Sequence, residues 1–227
     1  LETAKQIVMV TQNGTIKKTD IKDFSNVRRS GLIAIKLKNG DSLEWARPST
    51  GKDDVILVTS QGMAIRFGEK DIRSMGRVAS GVRGIRLKGD DRVVGMSIIG
   101  KDDDANMLMV VSSNGYGKRT KLTEYKAQNR GGQGIRTARI TDKTGALVSA
   151  SMVQVKSDKD LLAISNGGQV IRLAVTSISK LKRATQGVRI MRFKKAGDHV
   201  SSVTLVDNEK AAEKHVKAVE SEIEEKK

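Results

Sequence analysis

The chain has 227 residues, with 42 Lys plus Arg against 26 Asp plus Glu, and its net charge of +16 points to a polyanionic partner. The absence of Cys excludes disulfides, thiolate nucleophiles and cysteine-ligated zinc, and the two histidines, His199 and His215, leave no basis for a histidine-rich metal or proton-transfer site. A 37% apolar and 30% charged composition suits a globular protein with a real core; no apolar run reaches membrane-spanning length, and residues 1–5 lack the basic-then-apolar start of a secretory signal.

Twenty-two Gly against one Pro imply many tight turns, as a chain of short strands requires. In chain order one pattern occurs four times. A β-branched or apolar run is followed by a turn ending in Gly, then a basic strand, a linker, a second Gly and another apolar-basic strand. The first turn glycines are Gly14, Gly62, Gly115 and Gly168, spaced by 48, 53 and 53 residues; the second are Gly31, Gly81, Gly134 and Gly187, spaced by 50, 53 and 53. Asn13-Gly14, Asn114-Gly115 and Gly167-Gly168 between short runs predict hairpins. Residues 32–37, 82–87, 135–140 and 188–193, followed by turns at Gly40, Gly89, Gly145 and Gly197, predict a second hairpin in each copy. Two hairpins per copy make a four-stranded sheet, and sheets repeating at about 50 residues predict an all-β propeller or pinwheel. Its four blades would cover residues 5–52, 53–104, 105–157 and 158–206, with a β-sandwich made by duplication as the alternative. Residues 207–227 carry seven acids and five bases with apolar residues at helical spacing, which predicts a short helical or disordered tail.

The positive charge recurs in register. Four residues after the first glycine stand Lys18, Arg66, Arg119 and Arg172; five after the second stand Lys36, Arg86, Arg139 and Arg192. A column basic in all four copies arises by chance about once in a thousand. Arg83, Arg136 and Arg189 repeat two residues after the second glycine, and the linkers carry Arg28, Arg29, Arg77, Arg130, Lys182 and Arg183. These columns predict a positive stripe that follows a phosphate backbone by charge, with solubilising strand faces as the alternative. Six aromatic residues are too few for a base-stacking platform, so duplex DNA is the expected ligand. No paired-carboxylate site, Ser/His/Asp set or Walker loop occurs, and Tyr116 and Tyr125 fall in the repeat motifs as expected packing residues.

Asn13-Gly14-Thr15-Ile16-Lys17-Lys18-Thr19, Gly81-Val82-Arg83-Gly84-Ile85-Arg86-Leu87, Asn114-Gly115-Tyr116-Gly117-Lys118-Arg119-Thr120 and Thr185-Gln186-Gly187-Val188 resemble the C-terminal domain of the bacterial DNA gyrase A subunit, a β-pinwheel that wraps DNA on its outer edge. Gln128-Asn129-Arg130-Gly131-Gly132-Gln133-Gly134 resembles the family's Gln-Arg-Arg-Gly-Gly-Lys-Gly box, with Asn129 and Gln133 in place of two basic residues. By motif order the four copies are similar to the last four blades of a usually six-bladed domain.

The resemblance implies a non-catalytic DNA-wrapping module of a bacterial, cytoplasmic, nucleoid-associated topoisomerase. The catalytic tyrosine would lie elsewhere, as would the ATPase with its ATP and magnesium. The implied partners are the rest of the gyrase A subunit, the gyrase B subunit and double-stranded DNA, with no membrane and no cofactor in this chain. The equivalent domain of topoisomerase IV, and a basic propeller that binds acidic proteins, are the alternatives.

Overall fold

The computed structural model describes residues 4–27, 29–100 and 106–208. The expected tail helix and Arg28 lie outside these residues. Among the described residues fifteen strands are formed: β1 Gln6–Thr11, β2 Thr15–Asp20, β3 Leu43–Ser49, β4 Asp54–Thr59, β5 Met63–Gly68, β6 Val82–Arg83, β7 Val93–Ile99, β8 Met107–Ser112, β9 Tyr116–Lys121, β10 Ile135–Arg136, β11 Leu147–Val153, β12 Lys159–Ser165, β13 Val170–Ala174, β14 Val188–Arg189 and β15 Val200–Asp207. Short 3-10 turns at Ile21–Phe24, Glu69–Asp71, Leu122–Glu124 and Val175–Ser177 end the second strand of each copy.

The first hairpin of every copy forms as its turn chemistry dictates. Gly14, Gly62, Gly115 and Gly168 all have φ between 76° and 81°, where a side chain would be strained. Strand alternation then explains the core. In β4, Val55 and Leu57 pack with Val8, Val10 and Ile16 of the first sheet, while Ile56 and Val58 on the other face pack with Leu108 and Val110 of the third. Met107, Met109 and Val111 meet Leu161 and Ala163 in the same way between the third and fourth sheets. The cores therefore lie between sheets, and no single sheet is stable alone; burying each such side chain contributes about 1.5–3 kcal/mol. The sheets approach closely along β7 and β11, where a Cβ on Gly95 would stand 2.4 Å from the Ala150 carbonyl oxygen.

The predicted second hairpin is not formed. The strands run in the orders β3-β1-β2-β6, β10-β5-β4-β7, β11-β8-β9-β14 and β13-β12-β15. The two-residue strand after the second glycine leaves its own copy and pairs with the preceding sheet: Val82 with Ile16, Ile135 with Ala64, Val188 with Gly117. The strand after the next turn pairs with the first strand of its own copy, as Met9 with Ala46 and Leu57 with Met96. Each of the first three sheets thus takes its fourth strand from the following copy, and the last sheet has three strands among the described residues. The crossing glycine makes this possible: a Cβ at Gly81, Gly134 or Gly187 would lie 2.6, 2.3 or 2.8 Å from a carbonyl oxygen of the receiving strand. Residues 32–37 of the first copy form no strand.

Candidate nucleic-acid interface

The first basic column does not form one outward stripe: Lys18 and Arg119 are buried, Arg66 is half-buried and Arg172 is exposed. Lys18 is buried, donates to the Glu69 carbonyl at 3.0 Å and stands 3.6 Å from the Glu69 carboxylate, which is itself fully buried. Arg119 is 2% exposed and donates to the carbonyls of Ile178 at 2.9 Å and Thr176 at 2.7 Å; burial pushes its guanidinium below its ordinary value. Arg66 and Arg172 each donate through Nε to a carboxylate one strand away, Asp54 and Asp160, both at 2.8 Å. Strand parity carries the reason. The position four after the turn glycine shares a sheet face with the position two after it, which is Ile16, Ala64, Gly117 or Val170, and in the first three copies that face is packed against the neighbouring sheet.

The second column, Lys36, Arg86, Arg139 and Arg192, is exposed in every copy. Three of its members are held by one repeated bond from their backbone N–H to the linker of the next copy: Lys36 to Ala79 at 3.3 Å, Arg86 to Gly132 at 2.8 Å and Arg139 to Thr185 at 3.1 Å. Arg83, Arg136 and Arg189, three residues earlier, are exposed as well. Arg189 donates to the Tyr116 hydroxyl at 2.9 Å and lies 5.2 Å from that ring's centre, so Tyr116 packs as expected and also orients a surface cation.

The linker arginines tie consecutive copies together. Arg130 donates to the Asp71 carbonyl at 3.1 Å and to the Arg83 carbonyl; Arg183 donates to the Arg136 carbonyl at 2.8 Å and stands 4.0 Å from Glu124. Arg77 is half-buried and Arg29 is exposed. Each strand crossing thereby sets the cations of one copy beside those of the next. Open grooves form where a crossing strand meets the hairpin turn of the preceding copy. One is lined by Asn13, Lys38, Arg83 and Arg86, and its counterpart two sheets on by Asn114, Lys143, Arg189, Arg192 and Lys195.

The box-like segment is the strap that carries the chain from one sheet to the sheet before it. Gln128 donates its N–H to the Arg66 carbonyl at 2.8 Å, Gly131 to the Gly84 carbonyl at 2.9 Å, and the Gly132 carbonyl receives the Arg86 N–H. Gly131 and Gly134 have φ of 81° and 74°, while Asn129 and Gln133 are exposed.

Two lysines outside the repeated columns position this surface. Lys118 donates to the carbonyls of Lys182 at 2.8 Å, Thr185 at 3.1 Å and Arg183, and burial pulls its ammonium down to about 8. Lys17 donates to the Ala34 carbonyl at 2.6 Å and to that of Arg77, and burial lowers its pKa too. Each clamps the linker that bears an interface arginine. Their signal in the sequence is the Lys three residues after the glycine in the first and third copies only, where the other two have Ile65 and Ile171. Among the described residues no group of three or more His, Asp or Glu side chains is arranged to hold a metal ion.

Comparison with known proteins gives matches along the whole repeat region. The family model described as DNA gyrase C-terminal domain, beta-propeller, matches residues 5–50, 53–99, 106–154 and 159–207. The DNA gyrase A subunit of Staphylococcus epidermidis is 41% identical over 203 residues, covering 89% of this chain and 22% of that protein. The Mycolicibacterium smegmatis counterpart is 39% identical over 214 residues, covering 93% and 25%. The chain therefore spans about a quarter or less of these relatives. Among solved structures, the C-terminal domain of a DNA topoisomerase IV superposes with TM-score 0.85 at 27% identity over 96% of this chain and 66% of that one. A DNA gyrase A C-terminal domain superposes with TM-score 0.76 at 26% identity, over 89% and 66%.

Proposed function

Because the chain belongs to the DNA gyrase C-terminal domain family, we propose that it binds and bends duplex DNA along the row of grooves where each crossing strand meets the preceding sheet. One observation carries this: Lys36, Arg86, Arg139 and Arg192 are exposed at the same place in four consecutive copies, with Arg83, Arg136 and Arg189 beside them. Cations repeated by a regular fold match a ligand whose charge repeats regularly, and phosphate contacts of this kind position a protein on DNA without reading its sequence. Bending 20–30 base pairs by 40–90° costs on the order of 1–6 kcal/mol, so many modest phosphate contacts have to act together. Lys17, Lys118 and Tyr116 hold the linkers and Arg189 in place before DNA arrives, which lowers the ordering cost of binding.

In this proposal the module is non-catalytic and uses no cofactor of its own. It serves a gyrase A subunit in the bacterial cytoplasm, while ATP, magnesium and DNA cleavage belong to the rest of that protein and to its gyrase B partner. DNA bent on the grooves is presented as a crossing segment to the strand-passage gate. The close superposition on a topoisomerase IV domain supports a second assignment, in which the same surface engages DNA without fixing the sign of supercoiling.

Titration of linear duplexes of unrelated sequence tests the binding itself. Comparable affinities are expected, falling with salt with a log–log slope of about −0.9 for each phosphate neutralised. Strong sequence preference or a flat salt response would contradict the proposal and favour an acidic protein as the partner.

A further inference from the structure

At each of the three strand crossings one exposed arginine faces one residue of the receiving strand, in the same register. Arg83 stands opposite Thr15, Arg136 opposite Met63 and Arg189 opposite Tyr116. Threonine carries no ring, and methionine neither ring nor hydroxyl. Tyrosine supplies both, and both are used: Nη2 of Arg189 donates to the Tyr116 hydroxyl at 2.9 Å, and the guanidinium lies 5.2 Å from the ring centre. A cation at that distance is attracted by the ring's quadrupole, so ring and hydroxyl together hold one guanidinium in one place. Tyr116 is itself only 7% exposed, which limits the movement of the ring. The other N–H donors of Arg189 stay available for phosphate oxygens.

The same ring draws in a second cation from another part of the third copy. Lys143 Nζ lies 5.8 Å from its centre. The turn that bears Lys143 is tied down by the Asn114 side chain, which donates to the carbonyls of Asp142 at 2.9 Å and Lys143 at 3.3 Å. Its counterpart Asn13 reaches one carbonyl, that of Gly40, at 3.4 Å. Arg192 and Lys195 line the same groove, so four Lys and Arg side chains face it, against Lys38, Arg83 and Arg86 in the groove of the first crossing. The one carboxylate in its lining, Asp198, is engaged by the Ser165 hydroxyl at 2.6 Å and the Gly167 N–H at 2.9 Å.

We propose, on the reading that these grooves bind duplex DNA, that the groove where the fourth copy crosses to the third sheet is the anchor of the DNA path, with Tyr116 as its positioning residue. An arginine free in solvent gives up rotamer freedom when it meets a phosphate. Arg189 has already given up part of that freedom to Tyr116, so more of its attraction for the phosphate remains as affinity. Two cations gathered at one ring also repel each other, and a phosphate beside them offsets that repulsion. DNA is held most tightly at this crossing and leaves it last as salt rises.

The test replaces the three crossing arginines singly by alanine in the 227-residue chain and titrates one linear duplex over a range of salt. Each replacement removes one phosphate contact, so each should reduce the steepness of the log–log salt dependence by the same ~0.9. Arg189→Ala should cost about 3- to 10-fold more affinity than Arg83→Ala or Arg136→Ala, the effect expected of one pre-ordered side chain. Tyr116→Leu should remove that excess: in its background Arg189→Ala should cost no more than Arg83→Ala, a coupling that a tyrosine serving only to pack would not produce. Tyr116→Phe, which keeps the packing of the ring and loses the hydroxyl, should leave a smaller excess. Equal losses from the three arginines, or an excess at Arg189 unchanged in the Tyr116 variants, would overturn the anchor and leave the DNA reading standing. No loss from any of the three would overturn both.

Discussion

At the residue scale the repeated cations divide into two jobs. Arg119 is buried with carbonyl partners on the next copy, so truncating it strands the carbonyls of Ile178 and Thr176. Arg119→Ala should lose about 2–5 kcal/mol in urea unfolding, with DNA affinity per folded molecule unchanged. Arg86→Ala, at an exposed site, should stay within about 0.5 kcal/mol of the parent stability and weaken DNA binding. Equal stability losses in the two variants would erase the distinction. Lys118 adds a pH dependence. Its folded value of about 8 lies below the ordinary 10.5, so below pH 8 both states keep the proton and the full desolvation penalty is present. Between pH 8 and 10.5 the unfolded chain binds more protons, and this group's contribution to stability rises with pH. The unfolding free energy of the parent minus that of Lys118→Met should therefore grow from about pH 7.5 to about pH 10; a constant or falling difference would contradict the assigned cause. Both columns were visible as columns in the sequence. Which of them faces water was open to a parity argument for the first, since Lys18 shares a face with Ile16, whereas the clamps at Lys17 and Lys118 depend on carbonyls 60 and 64 residues away, which no local pattern encodes.

At the element scale the first hairpins and the four-copy order were legible because positive φ at an Asn-Gly or Gly-Gly turn is a local demand. The crossing strand was not. Residues 82–87 and 135–140 have the alternation of a hairpin arm, and nothing in that alternation says whether the pairing partner is the next strand or one in the copy before. The glycine ahead of them carries more information than a turn signal, because close backbone approach requires it as well. At Gly134 an added Cβ would come within 2.3 Å of the Ala64 carbonyl oxygen. Gly134→Ala should detach β10 from β5, with a lowered melting temperature and faster amide exchange along the β5 edge. Unchanged exchange there would show that the crossing does not need glycine.

At the scale of the whole molecule, sheets that bury both faces against their neighbours form a stack whose repeat sets the spacing of its surface cations. The exposed column follows the crossing strands, which are also the connections between sheets, so the basic row and the succession of sheets have one structural origin. In the proposed function DNA follows this row of cations with one hand, and such a chiral bend changes the linking number of a closed circle. Nicked circular DNA is sealed with ligase around the bound protein, the protein is removed and the linking number is measured. The parent chain should shift the linking-number distribution in proportion to the protein bound, and Arg86→Ala/Arg139→Ala/Arg192→Ala, folded to the same stability, should shift it much less at equal occupancy. No shift with the parent chain, or an equal shift with the triple variant, would mean that the exposed column does not wrap DNA with a fixed hand.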